Sequence, residues 1–449
     1  MSLAIQGAAS PTQQALPAHR QTARPPQASK VVVVHSGARD RYQIALGLSQ
    51  AGLLQCLVTD FFWSEETPFR HWLAQRLPAR LLSMLRQRSV PGLPPSQVKT
   101  CLSAAFAGFL LDKAQIIPYG VRRWFTRQAD ATLGRVAGRT ARRTGAELLS
   151  YSYYAYDAFR AAGKPGMLFQ MHPHPETMRD LLLAEIAAHP DCAASLQQEW
   201  ELNLPPADFQ RLVDETTMPA RSLTASSFTR RSLLDHGSAP ESVGVAPYGI
   251  DLEKFRPDTA RSRSTQGALK LLFVGRINQR KGIKYLLQAI AALPDAELEL
   301  TVCGRVLDGL DLFEQAGARV RIRPSVSAED LVKAYQEADL FVLPSIAEGF
   351  GQVLLEALAC GLPILATTHT AAPDLIHEGR EGFIVEPRRP DLLADRIRWA
   401  LEHRAELLAM RSAARTCAEQ FPWSRFHDEV THAVHQHLIA ASAAAQEPA

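Results

Sequence analysis

Short runs of apolar residues alternate with amphipathic stretches along most of this 449-residue chain. A β-branched run at 31–34 ends in a turn, a helical pattern covers 41–51, and a second apolar run follows at 56–60. Apolar runs of this length predict strands that are buried on both faces, as in a parallel sheet. The chain therefore opens as a strand–helix–strand unit. Gly37 falls at the carboxyl end of its first strand, where open α/β sheets bind ligands.

The alternation becomes regular after a connector at 245–258 that is rich in proline and glycine. Strand-like and helix-like segments then succeed one another: LKLLFVG, KGIKYLLQAIAAL, ELELTVCG, ARVRIRP, SAEDLVKAYQEA, LPILAT and GFIVEP. This order predicts a second doubly wound α/β domain. We place the domain boundary in the connector, which separates a domain at 30–247 from one at 248–420.

Residues 345–363 combine apolar patterning with two carboxylates that lie eight positions apart. Glu348 lies in a loop with Gly349 and Gly351, which let the backbone approach a ligand closely. Glu356 lies in the apolar helix that follows, and a carboxylate in such a helix needs a partner. Its side chain should lean toward the helix N-terminus and the glycine loop. Glu356 is therefore either half of a structural salt bridge in the core or a group that binds a ligand hydroxyl.

A second charged loop precedes a helix in the same domain. Arg276 and Lys281 follow Gly275 at a strand-to-helix junction. A helix start offers unpaired N–H groups and a positive dipole end, so this loop suits phosphate groups. The alternative is two surface cations without a role. If this loop lies beside the first, Glu356 could hold a ribose while the cations hold a diphosphate.

A histidine ends another predicted strand, in the first half of the chain. His172 lies beside a loop that is stiffened by prolines, and His174 is an alternative two positions on. A histidine facing a cleft can act as a base or bind a sugar hydroxyl. The alternative is a loop histidine without a role. A zinc site is not indicated, because no third ligand lies at a recognisable spacing.

Residues 68–145 form a strongly basic region with fourteen lysines and arginines and two acids. Aromatic residues are interleaved, and the segment FRHWLAQRLPARLLSMLRQR is typical of a basic amphipathic helix. This pattern suits an anionic membrane surface or a charged acceptor. The alternative is an insertion of solvated helices whose arginines bind nothing specific. We do not expect a nucleic-acid partner, because no recognised nucleic-acid motif accompanies the charge.

Composition agrees with a globular protein. Hydrophobic residues make up 46% and charged residues 21%, and the net charge is +3. The six cysteines show no metal-like or paired spacing, which favours a reducing compartment. No apolar run approaches the roughly 20 residues that span a bilayer. We interpret residues 1–29 as a disordered leader, and expect a cytoplasmic protein, with a peripheral position at the inner face of the membrane as an alternative.

Three segments together resemble the retaining glycosyltransferases of family 4, which have the GT-B fold: FVGRINQRKGIKYLLQAI, DLIHEGREGFIVEP, and EGFGQVLLEALACGLPILAT with its E-x7-E spacing. PYGIDLEKFRP resembles the family's inter-domain connector, with Tyr248 where asparagine is commoner. The resemblance runs from about Lys30 to the C-terminus. It implies two doubly wound Rossmann-like domains facing a central cleft, a helix at 421–440 that crosses back to the first domain, and a loose tail at 441–449.

The resemblance also implies roles for the charged residues. Arg276 and Lys281 would neutralise the donor diphosphate and stabilise the leaving group. Glu348 would contact the transferred sugar, and Glu356 would bind the ribose hydroxyls. These assignments imply a nucleotide sugar, UDP- or GDP-linked, as a substrate, with no separate cofactor and no metal ion.

The remaining site residues follow from the same resemblance. The backbone at Gly349, Phe350 and Gly351 would lie near the sugar or phosphate. His172 resembles the family's cleft histidine. Gly37 resembles its N-terminal glycine loop, although HSGARD has a single glycine where the family usually has two.

The resulting hypothesis is a retaining, metal-independent glycosyltransferase. It would move a hexose from a nucleotide sugar to a glycan or lipid-linked acceptor in cell-surface polysaccharide or glycolipid biosynthesis. One alternative is a sugar-nucleotide epimerase or glycoside phosphorylase on the same fold. Another is a scaffold protein that binds a nucleotide sugar without turnover.

Overall fold

Two parallel β-sheets, each flanked by helices, make up the body of the protein. The computed structural model describes residues 30–101, 119–260, 265–307, 313 and 317–444. The leader expected at 1–29 lies outside the described residues, as do residues 445–449.

The first sheet has seven strands in the order β3-β2-β1-β4-β5-β6-β7. All neighbouring strands are parallel. The order reverses at β1 and β4, and such a reversal opens a crevice at the carboxyl ends of the strands. The strands are β1 Val31–Val34, β2 Leu54–Thr59, β3 Val98–Thr100, β4 Glu147–Tyr151, β5 Met167–Gln170, β6 Arg221–Thr224 and β7 Val243–Val245.

The second sheet has six parallel strands in the order β10-β9-β8-β11-β12-β13. Its order reverses at β8 and β11, so the loops after these two strands meet at the same crevice. The strands are β8 Leu269–Val274, β9 Leu298–Cys303, β10 Val320–Arg323, β11 Leu340–Leu343, β12 Ile364–Thr367 and β13 Gly382–Val385.

The longer helices lie between successive strands or after the last one. In the first domain the helices span Gln43–Gln50, Pro68–Ala74, Ala79–Arg86, Tyr119–Thr144, Ala155–Ala162, Pro175–Ala188, Ala193–Leu196, Trp200–Asn203, Pro206–Thr217 and Ser227–Leu234. In the second part they span Ile283–Ala291, Ala328–Glu337, Gln352–Ala359, Ala372–Leu375, Pro390–Glu402, Arg404–Ala418 and Trp423–Ala444.

The last helix, Trp423–Ala444, returns to the first domain and packs on helix Gln43–Gln50. Gly47 allows this contact, because a Cβ there would lie 2.9 Å from the Cβ of His427. The ring of His427 also shares a 2.8 Å hydrogen bond with Gln43. The helix continues four residues beyond the expected end at 440, so the tail expected to be loose from 441 is helical as far as 444.

The basic region differs from the expected single amphipathic helix. Pro78 interrupts it and leaves two short helices, because proline cannot continue the hydrogen-bond ladder of a helix. The region also contains β3, which pairs with β2 and so belongs to the sheet rather than to a purely helical insertion. Across the described residues, no helix is both long and apolar enough to cross a membrane.

Two glycines allow helix Tyr119–Thr144 to lie close to helix Ala155–Ala162. A Cβ at Gly134 would lie 2.6 Å from the carbonyl oxygen of Tyr154. A Cβ at Gly138 would lie 2.1 Å from the carbonyl oxygen of Ala158. The close packing of the two helices therefore depends on the missing side chains.

We predict that Gly138→Ala lowers the free energy of unfolding by about 1–3 kcal/mol, because the added methyl group forces the two helices apart. Thermal unfolding followed by circular dichroism measures the effect. Gly120→Ala is the matched control on the same helix, because among the described residues outside its own helix no atom lies within 4 Å of its added Cβ. Equal melting temperatures for the two variants would contradict the close packing.

Candidate functional site

The loop after β8 lies directly against the end of β11. Gly282 has φ of 71° and precedes helix Ile283–Ala291. A Cβ at this position would lie 1.9 Å from the carbonyl oxygen of Pro344. Only glycine fits here, so the backbone brings Lys281 beside the loop that carries Glu348.

Glu348 is buried and bound by two cations from that neighbouring loop. Its Oε1 atom lies 2.5 Å from Nζ of Lys281 and 3.1 Å from Nη1 of Arg280. Burial alone would raise the pKa of Glu348, but the charges of Lys281 and Arg280 outweigh it and hold the pKa at about 2. The carboxylate is therefore ionised at neutral pH and accepts hydrogen bonds.

Lys281 and Arg276 stand in different environments although they share a loop. Burial lowers the pKa of Lys281, and its contact with Glu348 opposes that shift. Arg276 is exposed, and its guanidinium forms no hydrogen bond or ion pair with the described residues. It is therefore available to an anionic ligand, as the sequence predicts. Gly275, with φ of 149°, lies immediately before it.

The loop at Gly349 brings the two domains into contact. A Cβ at Gly349 would lie 1.6 Å from the carbonyl oxygen of Met171, at the carboxyl end of β5. The carbonyl oxygen of Gly349 accepts hydrogen bonds from Ser226 Oγ at 2.6 Å and Thr229 Oγ1 at 3.1 Å. Gly351, with φ of 86°, then starts helix Gln352–Ala359. The predicted glycine turn is present and abuts the first domain.

His172 faces a cavity between the domains, and its Nδ1 atom is buried without a hydrogen-bond partner among the described residues. The cavity has a volume of about 300 Å³, and Arg276 and Arg280 also line it. The pKa of His172 is lowered to about 3, mainly by burial and next by the charge of Arg280. The imidazole is therefore neutral at pH 7.

His174, the alternative cleft histidine, has a structural position instead. It is 2% exposed, and its Nδ1 accepts the backbone N–H of Glu176 at the start of helix Pro175–Ala188. Its Nε2 shares a hydrogen bond of 3.1 Å with Oγ1 of Thr216, and its ring stacks on that of His236. Of the two histidines, the structure therefore brings His172 to the cavity.

Glu356 lines a second, smaller cavity of about 110 Å³. It is half-buried, which raises its pKa, and its Oε2 accepts a 2.8 Å hydrogen bond from Tyr335. Within the described residues it forms no ion pair, so the expected alternative of a core salt bridge is wrong. Asp251 lines the same cavity, and Arg39 lines both this cavity and the larger one.

Gly37 adopts φ of 71° after β1, in the turn that the sequence predicts. Its backbone N–H is already engaged, because it donates to Oδ1 of Asp60 at 2.9 Å. Arg88 pairs with the same carboxylate. In this structure the loop after β1 therefore presents the side chain of Arg39 to the cavities rather than the N–H of Gly37.

Sequence reasoning missed the buried Arg280, which joins the two domains at the site. Its Nε donates to Glu199 of the first domain at 3.1 Å, and its Nη1 donates to the carbonyl oxygen of Ala347 at 2.9 Å. Asn278 adds a 3.1 Å hydrogen bond to the same carboxylate of Glu199. The position of Arg280 next to Lys281 in a charged loop was a weak sequence signal for it. No sequence signal indicated Glu199, which lies far away along the chain.

A second polar cluster joins the domains beside the first. Glu185, which is fully buried, accepts hydrogen bonds from Gln279 at 2.7 Å, Tyr285 at 2.9 Å and Arg388 at 2.8 Å. All three donors belong to the second domain. Buried carboxylates are stable only when paired in this way, so the cluster holds the two domains in one relative position.

Comparisons with known proteins agree with this architecture. Residues 255–416 match the family model Glycosyl transferases group 1. Sucrose-phosphate synthase from Thermosynechococcus elongatus superposes with a TM-score of 0.62 at 16% identity, over 92% of this chain and 100% of that one. Alr3699/HepE of Anabaena, solved with UDP and glucose, superposes with a TM-score of 0.56 at 16% identity, over 93% and 100%. The chain has the GT-B fold.

Among curated proteins, the D-inositol 3-phosphate glycosyltransferase of Paenarthrobacter aurescens (strain TC1) is 35% identical to this GT-B chain over 233 residues. The match covers 48% of this chain and 56% of that protein. The chain thus spans about half the length of the curated relatives it matches. The region 255–416 contains the loops after β8 and β11, so the family match covers the Arg276, Lys281 and Glu348 side of the site.

We predict that the free energy of unfolding falls less at acid pH in His174→Asn than in the wild type. Burial is the first cause that lowers the pKa of His174 to about 3, and its neighbour His236 adds to it. An unfolded histidine titrates near pH 6.5, so between pH 3 and 6.5 the unfolded chain binds more protons and stability rises with pH. Asparagine caps helices well and does not titrate.

Urea unfolding at pH 6.5 and pH 4.5 tests this prediction. The loss of unfolding free energy between the two pH values should be about 2–3 kcal/mol smaller in His174→Asn than in the wild type. His432→Asn, an exposed position on the last helix, is the matched control and should behave as the wild type does. An unchanged pH dependence in His174→Asn would show that His174 is not held neutral.

Proposed function

We propose that this protein is a retaining glycosyltransferase that transfers a sugar from a nucleotide-sugar donor to a glycan or lipid-linked acceptor. The observation that carries the proposal is the convergence of Glu348, Lys281 and Arg276 at the reversal point of the second sheet, where Arg276 lines the same cavity as His172. The names of the curated relatives and of the matched family model support the same reaction class.

The charges of the loop after β8 suit a nucleotide diphosphate. Arg276 is free to bind it, and Lys281 lies beside it with its charge held by Glu348. As the sugar–phosphate bond breaks, negative charge grows on the departing nucleotide, and cations placed beforehand stabilise that charge. These two cations and the N-terminus of the following helix provide this stabilisation without a metal ion. Glu356 and its neighbour Asp251 would bind the ribose hydroxyls in the smaller cavity.

The ionised state of Glu348 limits its role. With a pKa of about 2, after Lys281 and Arg280 outweigh the effect of burial, it cannot serve as a general acid at neutral pH. It can accept hydrogen bonds from the hydroxyls of the transferred sugar. We infer that the acceptor attacks the face that the nucleotide leaves, with a phosphate oxygen of the donor taking its proton, which gives retention of configuration.

The donor is proposed to be UDP-linked, because Alr3699/HepE, which shares the fold, was solved with UDP and with UDP-glucose. The acceptor is proposed to belong to cell-surface polysaccharide or glycolipid synthesis. The competing proposals are an epimerase or phosphorylase and a scaffold that binds the donor without turnover. No contact described in the site favours one of them over sugar transfer.

We predict that Lys281→Ala and Glu348→Gln each lower kcat/KM for donor turnover by about 10²–10³-fold, because the first removes a charge beside the diphosphate and the second a charge beside the transferred sugar. A thermal-shift screen of UDP-, GDP- and ADP-sugars identifies the donor, and release of the nucleotide then measures turnover. Lys270→Ala, exposed on β8, is the matched control and should keep full activity.

The outcomes separate the competing proposals. Transfer with retained anomeric configuration, seen by NMR of the product, supports the retaining mechanism. Conversion of the donor to another sugar nucleotide without any acceptor would indicate an epimerase. Donor binding without turnover over a broad acceptor panel would indicate a scaffold. Full activity of both site variants would contradict the proposal.

The basic region is proposed to contact an anionic membrane surface. Phe69 and Trp72 on one short helix and Met84 on the next are 69%, 49% and 59% exposed. Arg76 lies over the ring of Trp72, with its Cζ atom 4.1 Å from the ring centroid. Exposed aromatic side chains beside arginines are typical of helices that lie in the membrane interface.

We predict that Phe69→Ser/Trp72→Ser reduces co-sedimentation with vesicles of phosphatidylglycerol and phosphatidylcholine at least severalfold, because the variant loses the apolar area that enters the interface. Binding of the wild type should fall with added salt, since its arginines meet anionic headgroups. Ile439→Ser removes a similarly exposed apolar side chain elsewhere and is the control. Equal sedimentation of both variants and the wild type would refute the membrane contact.

A further inference from the structure

The two cavities at the site share a lining residue, Arg39 of the first domain. His172 and Arg276 line the larger cavity, and Asp251 and Glu356 line the smaller one. Among the described residues, Arg39 is the one that lines both. A ligand that reaches from one cavity into the other therefore passes close to its side chain.

Contacts on both sides of Arg39 hold the loop after β1 in place. On one side, the backbone N–H of Gly37 donates to Asp60, which follows β2. On the other side, the buried Asp40 accepts the hydroxyl of Tyr151 in β4 at 2.6 Å. Since β2, β1 and β4 are neighbours in the first sheet, their carboxyl ends together set the position of Arg39.

The guanidinium of Arg39 makes one weak contact in the described part of the chain. Its Nη2 donates to the hydroxyl of Tyr154 at 3.3 Å. That hydroxyl already shares a shorter hydrogen bond, 2.6 Å long, with Oγ of Ser36. Tyr154 therefore does not depend on Arg39 for a partner, which argues against a purely structural role for the arginine.

The positive charge of Arg39 has no ion-pair partner among the residues that the structure describes. Asp130 lines the larger cavity with it, but the two side chains form no ion pair. Arg39 is solvent-exposed, and an arginine offers five N–H donors. Most of these donors are therefore available to an anionic ligand.

The donor chemistry identifies the anion that would lie between the cavities. The proposed function puts the transferred sugar at Glu348 and the ribose at Glu356. The group that joins a ribose to a sugar in a nucleotide sugar is the diphosphate. Arginine binds phosphate oxygens through two parallel N–H bonds, which a single ammonium group cannot form.

We propose that Arg39 binds the diphosphate of the donor from the first domain, while Arg276 and Lys281 bind it from the second. This inference rests on the proposed function, because it takes the ligand to be a nucleotide sugar. When the sugar–phosphate bond breaks, its electron pair stays on the terminal phosphate oxygen. A cation on the first domain then shares in stabilising that charge.

The test compares two probes on the full chain, UDP and uridine. Uridine keeps the base and the ribose but lacks both phosphates. Isothermal titration calorimetry measures the affinity for UDP, and saturation-transfer NMR measures the affinity for uridine. The matching diphosphate and nucleoside replace these probes if the thermal-shift screen selects GDP or ADP.

Arg39→Ala should weaken UDP binding and lower kcat/KM for the donor about 10- to 100-fold, because a charged hydrogen-bond donor is lost. Its affinity for uridine should stay within about twofold of the wild type, since an exposed group away from the nucleoside changes binding little. Arg39→Lys keeps the charge but loses one of two parallel bonds, so UDP binding should weaken only about 3- to 10-fold.

Arg142→Ala is the matched control, because it removes the same charge from an exposed position. Arg142 lies in the last turn of helix Tyr119–Thr144, just before the amino end of β4 and so at the opposite edge of the sheet. This variant should bind both probes as the wild type does. Circular dichroism spectra of all three variants should match that of the wild type. If Arg39→Ala does not fold, Arg39→Lys decides the test.

The outcomes separate this inference from the proposed function. Failure of the wild type to bind or turn over any nucleotide sugar would overturn the proposed function. With donor binding intact, either of two results would overturn the role of Arg39 alone. One is an affinity for UDP in the Arg39 variants equal to that of the wild type. The other is an equal loss of affinity for UDP and for uridine.

Discussion

The carboxylate of Glu348, held by Lys281 and Arg280, is the contact on which the rest of the site depends. These buried charges are stable because each has an opposite partner, with Glu199 balancing the second positive charge at Arg280, since any one of them alone would be costly to remove from water. The geometry follows from the reversal of strand order at β8 and β11, which places their loops side by side. Gly282 lets the loops meet, because a Cβ there would lie 1.9 Å from the carbonyl oxygen of Pro344.

The same arginine links the chemistry to the relative position of the domains. Arg280 binds Glu348 and, through Glu199, the first domain, while Glu185 forms a parallel set of contacts nearby. The last helix crosses back to the first domain at His427 and Gln43. The two domains are therefore joined both by buried polar contacts and by the last helix. A displacement of either domain would disturb the charge balance around Glu348.

The second domain could be predicted closely from its sequence. Its strands and helices follow one another at short spacing, and each charged motif residue lies within a few positions of the strand that carries it. Parallel strands bring their carboxyl ends to one edge, so the meeting of Arg276, Lys281 and Glu348 follows from local patterns. The first domain was harder, because Pro78 divides the expected amphipathic helix and β3 joins the sheet from within a region that looked wholly helical.

The sequence by itself determined the two α/β domains and the charged loops after β8 and β11, because apolar periodicity and motif spacing are local properties. Only the tertiary structure decided that His172 rather than His174 faces the cavity, and that Glu356 bonds to Tyr335 rather than to a buried cation. Each of these contacts joins residues from distant segments. Their pairing depends on how the helices and the two domains pack, which no local pattern records.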